Sequence, residues 1–289
     1  MPRRSAEQTR QDGEDMAKKA TMAAKTEKMP VLFIGHGSPM NVVLQNDFTR
    51  HLTALGKELP KPKAILVISA HWLTSGTRLT CNDKPETIHD FYGFPNELYK
   101  MKYPSPGAPE YARMVERWVR KVQVSCDPGW GLDHAAWSVL HYMYPKADIP
   151  VFEMSLDYSP GEWHRKTVQY HYDLAKELQP MREKGVLIIG SGNIVHNLEV
   201  IDFDDINAKP YDWAVEFDEK IKSGLLSRHH EDLINYRLLS KNVLLAAPTL
   251  DHYLPMIYTI GLQERNESVE FTHDGFQHGS VSMRSFKIQ

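Results

Sequence analysis

Val31–Pro39 reads VLFIGHGSP: four large apolar residues in a row, then His36 between two glycines, then a proline. An apolar run this short with no alternation predicts a strand buried on both faces. Ala64–Trp72, AILVISAHW, repeats the pattern, with His71 following the apolar run Ala64–Ile68. Val186–Ile189 is a third such run, followed by Gly190-Ser191-Gly192-Asn193 and then His196. A fourth histidine, His252 in DHYLP, stands just before Pro255, and proline is comfortable only in the first turn of a helix. A helix through Met256–Ile260 therefore begins near His252. In open α/β sheets the chemistry collects at the carboxyl ends of the strands. Histidines returning to that edge imply one shared site, and neutral imidazoles gathered at a point suit a transition metal.

Working outward, helical stripes alternate with the strands. Asn46–Lys57 places Phe48, Leu52 and Leu55 on one face, and Pro109 opens a helix carrying Tyr111, Val115, Trp118, Val119 and Val122. PVFEMSLD (150–157) reads as a strand and runs into Ser159-Pro160-Gly161-Glu162, a capping-box spacing for a helix with Val168, Tyr172, Ala175 and Leu178 inward. Trp213, Phe217, Ile221 and Leu225 stripe another helix, and VSMRSFKI (281–288) alternates as a late edge or antiparallel strand. Strands alternating with helices predict one α/β domain over 29–289, with a central, mostly parallel or mixed sheet flanked by helices.

Composition narrows the functional classes. The chain has 289 residues, 42% hydrophobic and 25% charged, with a net charge of −3, which gives no basic surface for nucleic acid or an anionic membrane. No apolar run reaches the roughly 18 residues needed to span a bilayer. Residues 1–28 are polar and charged with no apolar segment, so a disordered leader is expected rather than a secretory signal. Cys81 and Cys126 stand far apart in no metal-ligand spacing, which predicts packed thiols in a reducing cytoplasm.

Two further histidines sit among aromatic residues. His134, in GWGLDHAAW, is a ligand, a general acid/base or a polar member of an aromatic core; His89, in IHDFYGFP, has Asp90 beside it. His229 and His230 lie on a polar stretch and read as surface residues.

The motifs GHGSPMN, SAHW, TIHDFYGFP, YPSPGAP, WGLDHAAW with MYPKADIPV, SGNIVHNL, HYLP and GSVSM occur in this order from about Met29 to the C-terminus. Together they resemble the 4,5-DOPA dioxygenase group of the class III extradiol ring-cleavage dioxygenases, relatives of the LigB-type enzymes. The resemblance implies that His36, His71 and His252 bind the metal, that His196 is either a fourth ligand or an acid/base, and that His134 lines the pocket as an acid/base. It implies Fe(II) for ring cleavage with Zn(II) also able to occupy the site, and a small catecholic substrate opened with O₂. Trp72, His89, Phe91, Phe94, Trp137 and Tyr253 are the candidates to line the ring slot. Ala135 departs from the glycine expected after the pocket histidine, and His252 stands where LigB relatives use a carboxylate ligand. A zinc hydrolase using the same histidines is the alternative chemistry.

Overall fold

The computed structural model describes residues 28–158 and 165–289. The expected leader and the Ser159–Glu162 capping box lie outside the described residues.

The three apolar runs form neighbouring strands of an eight-stranded mixed sheet. In chain order the strands are β1 (Val31–Gly35), β2 (Ala64–Thr74), β3 (Thr77–Thr80), β4 (Val124–Asp127), β5 (Val151–Asp157), β6 (Val186–Gly192), β7 (Val269–His273), a short pair β8 (Phe276–Gln277) and β9 (Val281–Ser282), and β10 (Ser285–Ile288). Their order across the sheet is β4-β3-β5-β2-β6-β1-β10-β7, with β8 and β9 pairing separately. β5, β2, β6 and β1 run parallel, while β10 is antiparallel to both β1 and β7. Apolar residues must be unbroken in β1 because its two faces feed different cores. Val31 and Phe33 join one cluster, with the helices Arg165–Glu177, Asp212–Ser227 and Leu254–Gly261. Leu32 and Ile34 join the other, with the helices Asp47–Glu58 and His134–Met143.

Local signals set the helix ends. Asn46 caps Asp47–Glu58 by accepting from the Thr49 N–H at 2.9 Å, and Thr49 Oγ1 accepts from the Asn46 N–H at 3.0 Å. Pro109 opens Pro109–Trp118 as expected, but that helix stops before Val119 and Val122. No helix among the described residues is long and apolar enough to cross a membrane.

The sheet corrects three expectations. VSMRSFKI is antiparallel, as one of its two readings had it, but it is broken into β9 and β10, and β10 lies inside the sheet because β7 covers its outer edge. His71 does not follow its strand but stands within it, since β2 continues to Thr74. The cysteines are not free thiols: Cys81 and Cys126 form a disulfide with a Cα–Cα distance of 5.7 Å. Parallel pairing of β3 with β4, in register Leu79 to Cys126, closes the 45-residue separation. That bond removes the cysteine argument for a reducing compartment.

Candidate metal centre and active site

His36 follows β1, with its N–H donating to the Gly192 carbonyl of β6 at 3.2 Å. His252 enters from the other side, its carbonyl accepting the Asn193 N–H at 2.9 Å just beyond β6. His71 comes from β2. One donor nitrogen from each of these three histidines lies within 4.8 Å of the others, and the Nε2 atoms of His36 and His71 are 3.3 Å apart.

Each Nδ1 has its own neighbour on the far side of the ring. His36 Nδ1 is 3.0 Å from Ser191 Oγ. That hydroxyl already donates its hydrogen to the Ala135 carbonyl at 2.7 Å, so His36 supplies the proton of the shared bond. His252 Nδ1 is hydrogen-bonded to Asp251, and His71 Nδ1 stands 3.2 Å from Asp90 Oδ2. Such partners fix which nitrogen is protonated and turn the Nε2 lone pairs inward. Nε2 of His252 is buried without a partner, and leaving a buried polar atom unpaired costs on the order of 1–3 kcal/mol. Burial, reinforced by the neighbouring imidazoles, pushes His36, His71 and His196 well below the usual histidine range. They are therefore neutral at physiological pH, the state a metal requires. The orphaned nitrogen of His252, the converging lone pairs and the neutral rings of His36 and His71 fit a divalent transition metal held by His36, His71 and His252.

His196 lies outside this trio. Its ring stacks on His252 with centroids 3.5 Å apart and planes 8° from parallel, and its ligand atom groups with Asp251 and His252. The structure thus brings three of the four expected ligands into one set.

His134 opens the helix His134–Met143, whose cap Asp133 accepts from the Ala135 N–H at 3.0 Å. Its ring centroid is 4.0 Å from that of His71 and 5.5 Å from that of His36. Asp90 receives both its backbone N–H, at 2.9 Å, and its Nδ1–H, at 2.8 Å. Sequence reasoning noted Asp90 only as a neighbour of His89. The signal lay in an acidic residue inside an aromatic-rich segment, where a carboxylate needs a specific partner.

The geometry has the form of a three-histidine metal centre, and the comparisons give its chemistry. The model for the catalytic LigB subunit of aromatic ring-opening dioxygenase matches residues 28–285. The chain belongs to the LigB family. A 4,5-DOPA dioxygenase extradiol of Escherichia coli K12 is 41% identical over 266 residues, covering 90% of this chain and 95% of that protein. One from Mirabilis jalapa is 36% identical, covering 86% of this chain and 92% of its own. The crystal structure of an uncharacterized Escherichia coli K12 protein superposes with a TM-score of 0.76 at 37% identity, covering 90% of this chain and all of that one. As a LigB-family member the protein is a metal-dependent aromatic ring-opening dioxygenase acting on a small aromatic substrate with O₂.

Beside the LigB centre stands an aromatic wall. Phe91 lies 5.6 Å from the His134 ring and contacts Phe94, at 5.3 Å, and Trp137, at 6.3 Å. His89 packs on Phe91 and Trp137, with Nε2 hydrogen-bonded to the Met101 carbonyl at 3.0 Å. Two expected wall residues are elsewhere. Trp72 is stacked on Trp130 with centroids 5.3 Å apart. Tyr253 is in the helical core against Phe217 and Tyr236, its hydroxyl donating to the Leu233 carbonyl at 2.9 Å. Being next to a ligand in sequence says little about direction: Trp72 follows His71 within β2, where successive side chains alternate faces, and Tyr253 follows His252 at a turn.

Beneath the wall two carboxyls are fully buried together. Glu153 accepts the Asp133 N–H at 2.8 Å and the Trp130 Nε1–H at 3.0 Å, while Ser69 donates to Asp133 at 2.6 Å. Burial, with the charge of Asp90 adding, pushes Asp133 up to about 6; burial and Asp133 push Glu153 well above its usual range. Both folded values are raised, so their contribution to stability is present below the unfolded values near 4 and lost as pH rises through about 6. Glu153→Gln removes one titrating member of the pair. Urea unfolding at about pH 5 and about pH 8 is expected to show a smaller loss of stability across that interval than in the parent, by roughly 1–3 kcal/mol. An unchanged pH slope would show that Glu153 does not titrate with a raised value.

Proposed function

We propose that this enzyme opens the ring of a catechol such as DOPA beside its two hydroxyls, using Fe(II) held by His36, His71 and His252. The observation that carries this reading is the set of three inward-facing imidazole nitrogens with His134 packed against one of them. Imidazole donors suit several divalent metals, and Fe(II) is chosen because the reaction must activate O₂. Bound there, the metal supplies the positive charge that acidifies a catechol hydroxyl and the redox partner for oxygen. Three protein donors rather than four leave capacity for the diol and O₂, which favours His196 as a second acid/base over a fourth ligand.

The remaining steps belong to the side chains. Phe91, Phe94 and Trp137 offer faces and edges for an aromatic ring. With Nδ1–H given to Asp90, His134 carries its lone pair on Nε2 and accepts the hydroxyl proton. It returns that proton as the ring opens. His196, whose ring stacks on His252, is the second proton carrier in this reading.

The test is to load Fe(II) anaerobically, add L-DOPA, and follow O₂ uptake together with formation of a yellow semialdehyde-type product. Turnover with Zn(II) alone and no O₂ consumption would instead favour hydrolysis. His134→Ala is expected to retain the metal and lose about 10²- to 10⁴-fold in kcat, read from metal content and initial rates.

A further inference from the structure

Asp90 makes three contacts at the site. Its Oδ1 accepts the His134 backbone N–H at 2.9 Å, its Oδ2 accepts His134 Nδ1–H at 2.8 Å, and the same Oδ2 stands 3.2 Å from Nδ1 of His71. One carboxylate thus faces the outer nitrogen of both the acid/base histidine and a metal-facing histidine. The chain around it is tightly fixed. Leu132 N–H donates to the Glu86 carbonyl at 2.8 Å, Ile88 N–H donates to the Leu132 carbonyl at 2.7 Å, and Trp137 Nε1–H donates to the Ile88 carbonyl at 2.8 Å. At Gly131, a Cβ would fall 2.1 Å from the Glu86 carbonyl oxygen, so only glycine lets the two segments approach this closely.

We propose that Asp90 is the positioning residue that sets the tautomer of His134, holding its proton on Nδ1 so that Nε2 faces the substrate as an acceptor. The proposal rests on the reading of His134 as the proton acceptor. An ionised carboxylate can only accept hydrogen bonds, so any nitrogen facing it must carry the hydrogen. An asparagine at this position keeps one oxygen for the backbone N–H of His134 but turns its NH₂ group toward Nδ1. The ring then moves its proton to Nε2 and presents a donor where an acceptor is needed. The side chain is nearly the same size and the backbone contact survives, so a merely structural role for Asp90 predicts little change.

The experiment compares the full-length parent, Asp90→Asn, Asp90→Glu and His134→Ala. Proteins labelled with ¹⁵N-histidine and loaded with diamagnetic Zn(II) report which nitrogen of His134 is protonated, and Fe(II)-loaded proteins report kcat and KM. The expected result is Nδ1–H in the parent and in Asp90→Glu, and Nε2–H in Asp90→Asn. For Asp90→Asn, kcat falls about 10²- to 10⁴-fold with KM changed only a few-fold, and zinc affinity weakens by ~10-fold through His71. Adding His134→Ala to Asp90→Asn causes no further loss. The proposal is overturned if Asp90→Asn keeps Nδ1–H and the parent's kcat while His134→Ala is inactive. If His134→Ala is itself fully active, the proton-transfer reading fails, and the spectrum of Asp90→Asn alone decides whether Asp90 sets the tautomer.

Discussion

Replacing His36 by alanine is expected to weaken metal binding by more than ~10²-fold and to reduce ring-opening to background. Its Nε2 faces that of His71 at 3.3 Å, and its ring centroid is 5.4 Å from that of His252, so its loss leaves two nitrogens where three converge. The fold should survive, because the Ser191 hydroxyl keeps its bond to the Ala135 carbonyl. Metal-to-protein ratios after dialysis against a chelator, alongside O₂ uptake, measure the effect. His196→Ala provides the contrast: as a stacking partner outside the trio, it is expected to lower turnover while the metal stays bound. Full metal occupancy in His36→Ala, or metal loss in His196→Ala equal to that in His36→Ala, would redraw the ligand set.

The second large effect is expected at a glycine. A Cβ added at Gly192 would fall 2.3 Å from the His252 carbonyl oxygen and 3.1 Å from both the His252 carbonyl carbon and Pro255 Cγ. The oxygen belongs to the backbone, so no side-chain rotation relieves the overlap. Gly192→Ala must therefore push the start of the helix Leu254–Gly261 away from β6 and carry His252 with it. We expect a stability loss of about 1–3 kcal/mol or more by urea denaturation, together with weakened metal binding. Wild-type metal affinity in a destabilised variant would mean that His252 follows the sheet rather than the helix.

What the sequence disclosed follows from where burial leaves a periodic trace. β1, the start of β2, and β6 are covered on both faces, so they appear as unbroken apolar runs with the histidines near their ends. The helices Asp47–Glu58 and Asp212–Ser227 are half exposed, so their stripes were visible. By contrast, His134–Met143 is buried on nearly every side, so apolar residues fill most of its positions and hide its helical period. The three histidines drew attention because His36 stands between two glycines, His71 follows the apolar run Ala64–Ile68 and His252 precedes Pro255. Asp90 and Ser191 were not singled out as site residues, because their roles depend on which distant nitrogen they meet. The disulfide was missed because its partners become neighbours only through the β3–β4 pairing. Tyr253 misled because a residue next to a ligand can point into a different core.

One irregularity reaches further. Between its pairings Ile68 to Met154 and Leu73 to Leu156, β2 advances five residues while β5 advances two. His71 rides on that detour, so one metal ligand is displaced from the regular frame while the strands resume their alignment beyond it. Changing the length of Ala70–Trp72, beyond the Ser69 pairing with Ser191, would therefore act first on that one donor. Directed evolution could use this hinge between scaffold and chemistry to retune which metals and diols the enzyme accepts.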